Sequence, residues 1–158
     1  MNTFLRLLFV ILLIFINSCS KKEEKISIIK EKEINLQMID AYKEGVKAFE
    51  EGDVLFAAKK FNEAEILYPQ SEWAPKSTLM AAYAYYSQDY YYDAISELER
   101  FIKKYPKHGR LNYAHFLLAI CYYEQIIDEK KDLGPLLNAQ KEFNFVVNNY
   151  PASDFAFD

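Results

Sequence analysis

Three tyrosine–proline pairs, Tyr68-Pro69, Tyr105-Pro106 and Tyr150-Pro151, recur along this chain with the same company around them. Twelve residues before each proline stands an alanine (Ala57, Ala94, Ala139), and eight before stands Phe61, Leu98 or Phe143. Two residues after come Ser71, His108 and Ser153. The prolines are 37 and 45 residues apart, and the longer interval contains "DEKKDLGP", whose Gly134-Pro135 signals a turn. Twelve residues before Ala57 and Ala94 lie Gly45 and Ala82, and with the insertion allowed for, Ala119 takes that place in the third unit. Three concordant registers define a repeat. From Leu36 onward the periodicity is helical, with no alternating β-branched run and no hairpin dipeptide such as Asn-Gly.

The pattern resembles the tetratricopeptide repeat, in which two antiparallel helices carry a small residue midway and a proline closes the second. The implied fold is all-α, a superhelix of antiparallel helix pairs. Gly45, Ala82 and Ala119 then mark where the first helix of each pair approaches its partner most closely, and Ala57, Ala94 and Ala139 answer from the second. Phe61, Leu98 and Phe143 fill the seams between neighbouring units. Proline lacks an amide hydrogen and disfavours helix at the preceding residue, so the chain must turn there. The chain closes on "YPASDFAFD", where another first helix would begin, and so reads as truncated at the start of a fourth unit without a capping helix.

Composition narrows the function classes. The formal net charge is −4, with Lys and Glu interspersed, so a clustered basic face for nucleic acid is not expected. Thirteen tyrosines and twelve phenylalanines exceed what a small core can absorb, and some must line a surface. His108 and His115 are seven residues apart, about 10 Å along a helix and too far to share a metal. His108 sits where Ser71 and Ser153 sit in the other units and reads as a corner residue. No phosphate loop, zinc motif or Ser-His-Asp ordering is present, and Glu63/Glu65 and Glu97/Glu99 read as solvated helix faces. No enzyme, cofactor or metal reading results. Cys121, set among Leu117, Leu118, Ile120 and Tyr122, reads as a small buried hydrophobe.

Residues 1–18, "MNTFLRLLFVILLIFINS", pair one cation with an apolar run from Leu7 to Ile16, about 15 Å of helix and too short to span a bilayer. This is the signature of a signal peptide. Ile16-Asn17-Ser18-Cys19 resembles the bacterial lipobox, which implies a lipidated Cys19 as the mature N-terminus. Ser20 after it implies an outer-membrane address, and several acyl chains make a permanent anchor. Residues 19–36 read as a lipidated, charged tether and 37–158 as the repeat domain.

In superhelices of this kind the first helices line the concave groove. Tyr42, Val46 and Phe49, then Leu79, Tyr83 and Tyr86, then Tyr113, Phe116, Ile120 and Tyr123 occupy those positions. Val46, Leu79 and Ile120 read as inter-repeat core, while Tyr42, Phe49, Tyr83, Tyr86, Tyr113 and Tyr123 are the candidates for a peptide-binding groove. A phenol offers an apolar ring with a polar tip, suited to an extended peptide. "DYYYDA", residues 89–94, reads as an aromatic corner used mostly for packing.

The lipobox, the Tyr-Ala-Tyr-Tyr of 83–86, "FIKKYPKH" and the aspartate-bearing insertion around Asp132 are together similar to the BamD family, lipoproteins of the outer-membrane β-barrel assembly machinery. The resemblance implies a five-repeat, lipid-anchored protein on the periplasmic face of the outer membrane. It also implies partnership with the barrel-forming subunit BamA and further lipoproteins of the machinery. N-terminal repeats would receive unfolded barrel proteins by a C-terminal strand ending in an aromatic residue. The BamA-docking residues would lie beyond Asp158. The alternative is another periplasmic tetratricopeptide lipoprotein that scaffolds cell-division or cell-wall proteins.

Overall fold

Each tyrosine–proline pair ends a helix in the same way. In the computed structural model, which describes residues 23–127 and 132–157, the elements are α1 (Glu23–Glu50), α2 (Val54–Leu67), α3 (Trp73–Tyr86), α4 (Tyr91–Lys104), α5 (Leu111–Glu124) and α6 (Gly134–Asn149). A single 3-10 turn, Asp154–Ala156, follows. All regular structure among the described residues is helical, in agreement with the all-α expectation. The signal-peptide segment and Cys19 lie outside those residues. Helix α1 begins at Glu23, within the stretch expected to be a tether, where Lys and Glu are good helix formers and no Gly or Pro intervenes. The packed repeat unit runs from Ile34 onward.

Tyr68, Tyr105 and Tyr150 leave the helical region, with φ of −142°, −123° and −134°, as a residue preceding proline must. Their carbonyls then accept the N–H groups of Ser71, His108 and Ser153 at 3.0 to 3.1 Å. The Ser71 and Ser153 hydroxyls donate to the same carbonyls at 2.7 and 2.8 Å. His108 cannot copy that bond. Its Nδ1 instead accepts the Arg110 N–H at 3.2 Å, and its ring stands edge-on to Phe101 at 5.4 Å. The corner role expected for His108 is the one it has. The hairpin ends also repeat, since Gly52 and Asp89, each five residues before the buried alanine, adopt left-handed φ of 84° and 62°. Glycine does so freely, and aspartate is among the few others that tolerate it.

Consecutive helices from α2 onward pack against one another. Small residues sit at every crossing, for Ala57, Ala82, Ala94, Ala119 and Ala139 are all buried. At Gly45 the approach is closest: a Cβ there would stand 2.8 Å from the Phe61 ring. Phe61 is fully buried in a first cluster shared by α1, α2 and α3, and Leu98, Phe101 and Cys121 are fully buried in a second cluster shared by α3, α4 and α5. Burial pushes the Cys121 thiol up to about 12, consistent with an inert core residue. Phe143 is only half-buried, because among the described residues no further helix pair packs over α6.

A charged staple ties the first unit to the second, and it corrects one expectation. Glu65 is buried, not solvated. Its Oε1 accepts from Lys104 Nζ at 2.7 Å and from the Tyr105 hydroxyl at 2.8 Å, and its Oε2 receives Arg100. Arg100 also reaches Glu97 and the Asn62 side-chain oxygen at 2.8 Å, while Asn62 donates to Glu97 at 2.9 Å. Glu97 is thereby drawn into the same cluster. Burial alone would raise the Glu65 pKa, but the bonds to Lys104, Arg100 and Tyr105 outweigh it and hold the carboxyl below its ordinary value.

Two outcomes follow from this packing. Alanine in place of glycine adds about 1 kcal/mol to an ordinary helix interior, yet Gly45→Ala is expected to cost about 1–3 kcal/mol in urea unfolding, as overpacking does. The stabilisation due to Glu65 is complete above its ordinary pKa near 4.5 and is lost as pH falls through the lower folded value. Glu65→Gln therefore shrinks the acid limb of the stability–pH curve, measured by unfolding at a series of pH values.

Candidate functional site

The proline corners place residues of adjacent first helices opposite one another. Lys76 and Tyr113 each stand seven residues after a corner proline, one on α3 and one on α5. Between these two helices opens a cleft of about 470 Å³. Leu79, Met80, Tyr83 and Tyr113 supply its apolar surface, and Glu72, Lys76, His108 and Arg110 supply its polar groups. Lys76 and Arg110 carry positive charge against the single carboxylate of Glu72, so a basic rim borders an aromatic floor. The Lys76 ammonium lies 4.6 Å from the Trp73 ring and 5.4 Å from the Tyr42 ring, within cation–π range of both.

The six sequence-nominated groove residues do not act as one set. Tyr83 lines the cleft and meets Phe49 at 5.7 Å and Tyr86 at 6.3 Å, so these three form a continuous aromatic strip. Tyr86 is half-buried and continues the strip to Tyr91 at 6.2 Å. Tyr42 packs on Phe61 at 5.3 Å and edge-on to Trp73 at 4.9 Å, which joins it to the cleft only through Trp73 and Lys76. Tyr113 is both floor and core: it packs against the second cluster and Phe155, and desolvation pushes its phenol up to about 12. Tyr123 is 59% exposed and lines no part of the cleft. Leu79, assigned to the core, is buried but also shows a face to the cleft.

Sequence reasoning passed over the basic rim. Its members stand at different distances from their corner prolines, Lys76 seven residues after Pro69 and Arg110 four after Pro106, so comparison of the repeats does not pair them. His115 has a structural task. Its Nδ1 lies 2.6 Å from Glu142 Oε2 and its ring stacks on Phe145 at 3.8 Å, tying α5 to α6. No group of three His, Cys, Asp or Glu among the described residues is placed to hold a metal. No described helix is long and apolar enough to cross a membrane.

Residues 35–158 match the family model for YfiO, an outer membrane lipoprotein. The chain belongs to that family. Among its curated relatives, the outer membrane protein assembly factor BamD of Caulobacter vibrioides is 35% identical over 140 residues, 89% of this chain and 45% of the relative. The BamD proteins of Rickettsia prowazekii and Neisseria gonorrhoeae are 28% and 30% identical, over 74% and 65% of this chain and 47% and 42% of their own. The chain thus spans a little under half the length of these YfiO-family relatives.

Burial sorts the candidate tyrosines by consequence. Tyr113→Ala is expected to cost somewhat less than the ~3–5 kcal/mol of a fully buried aromatic, because one part of its ring faces the cleft. Tyr123→Ala should stay within about 0.5 kcal/mol of the parent. Denaturant unfolding of the two variants measures the difference.

Proposed function

We propose that this chain is a lipid-anchored part of the outer-membrane β-barrel assembly machinery, held at the periplasmic face through Cys19. There it captures segments of unfolded barrel proteins in the α3–α5 cleft and works with BamA and the machinery's other lipoproteins. The observation that carries the reading is the pairing of an aromatic floor with a basic rim. Leu79, Met80, Tyr83 and Tyr113 suit the aromatic side chain that ends such a barrel strand. Lys76 and Arg110 suit the carboxylate that terminates the chain, and an arginine fork can meet it with two parallel bonds. The names of the YfiO-family relatives support the same assignment. The role is one of binding, with no group in the cleft assigned to bond making or breaking.

A labelled peptide carrying the last strand of an outer-membrane barrel and its terminal aromatic tests this. Tyr83→Ala is expected to weaken binding about tenfold while leaving helicity intact, a loss of roughly 1.4 kcal/mol. Amidating the peptide's carboxyl terminus should weaken it further on the parent chain and have little effect on Arg110→Gln. Equal affinity for acid and amide would remove the rim from the account.

A further inference from the structure

Register distinguishes two kinds of exposed apolar side chain on the second helices. Phe143 and Val147 stand where Leu98 and Ile102 stand one unit earlier, positions that the next helix pair covers wholly or partly. They mark an open seam. Leu55, Tyr92 and Leu137 are different. Each lies two residues before the buried alanine of its helix, and they are 53%, 80% and 56% exposed. Leu55 stays exposed with α3 packed on α2, and Tyr92 stays exposed with α5 packed on α4. Stacking another unit does not cover this position. Scattered apolar side chains on a surface are ordinary, but one recurring at the same place in every unit forms a line along the superhelix.

The hairpin corners beside that line are acidic. Residues 50–56 contain Glu50, Glu51 and Asp53, residues 87–93 contain Asp89 and Asp93, and neither stretch holds a Lys or Arg. Asp132 extends the series at the third corner, next to residues 128–131, which lie outside the described structure and carry two acids and two lysines. Local needs explain part of this, since Asp53 and Asp132 accept the N–H groups of Phe56 and Gly134, Asp89 accepts the Tyr91 hydroxyl, and Glu51 lies 3.8 Å from Lys47 in an exposed ion pair. They do not explain a large apolar side chain held in water beside each acidic corner.

We propose that this hairpin edge is a second docking surface, separate from the cleft, for a basic polypeptide segment. Its apolar side chains would lie on Leu55, Tyr92 and Leu137, and its Lys or Arg side chains would face the corner acids. Charge complementarity selects that occupant, and the same negative charge disfavours an anionic lipid surface.

The test uses the full chain in phosphatidylcholine nanodiscs and a fluorescein-labelled peptide of alternating Lys and Leu, with empty nanodiscs subtracted and an alternating Glu and Leu peptide alongside. The Lys/Leu peptide is expected to bind, more weakly as salt is added. Combined Leu55→Ser, Tyr92→Ser and Leu137→Ser should weaken it about tenfold with unchanged circular dichroism. Should that triple variant lose helicity, Tyr92→Ser alone is expected to weaken binding about threefold, and unchanged affinity there would equally overturn the proposal. Tyr83→Ala, which tests the cleft, should leave this binding as it was. Undiminished binding by the triple variant, equal binding of the Glu/Leu peptide, or loss of binding in Tyr83→Ala would each overturn it.

Discussion

Close contact between paired helices, with glycine or alanine at each crossing, is the constraint on which the remaining structure depends. Gly45 leaves room for the Phe61 ring at a separation that no Cβ would allow. Ala57, Ala82, Ala94, Ala119 and Ala139 make the equivalent crossings elsewhere. Because backbones approach so nearly, each pair behaves as a rigid slab, and the large side chains are left for the seams and the groove. Phe61 and Leu98 then fix how one slab seats on the next. The proline corners complete the geometry, each closed by the same bond from the third residue after the tyrosine back to the tyrosine carbonyl.

The cleft is a consequence of that stacking and needs no special element of its own. Two first helices side by side, each preceded by the same corner, bring Lys76, Tyr83, Arg110 and Tyr113 to one opening. The staple formed by Glu65 with Arg100, Lys104 and Tyr105 acts on the other layer of helices, between α2 and α4. Such a buried ionic cluster gains little over apolar packing in free energy. What it supplies is directional bonding between the first two slabs. The α3 helix that forms one wall of the cleft packs against both α2 and α4.

Much of the fold was legible in the residues because it is written three times. The corner prolines, the crossing alanines and the odd role of His108 could each be read by comparing one unit with its neighbours. Glu65 could not be. It looks like any solvated helix glutamate until Arg100, Lys104 and Tyr105, 35 to 40 residues later, are folded onto it. The differences among the candidate tyrosines were not legible for a related reason: position on a first helix does not reveal whether a neighbour covers the ring. Phe155 and the second cluster cover Tyr113, whereas nothing described covers Tyr123 to the same degree. The basic rim was missed because its members come from two different units and meet only across the stacked pair.

We propose that the α3–α5 cleft of this YfiO-family chain holds unfolded outer-membrane barrel proteins. The most direct measurement puts a photo-reactive residue at Tyr83, with Tyr123 as the position outside the cleft, and identifies crosslinked proteins from intact cells by mass. The account predicts nascent outer-membrane barrels at Tyr83 and their depletion at Tyr123. Recovery of cell-division or cell-wall proteins at Tyr83, without barrels, would contradict it while leaving the repeat fold and the family standing.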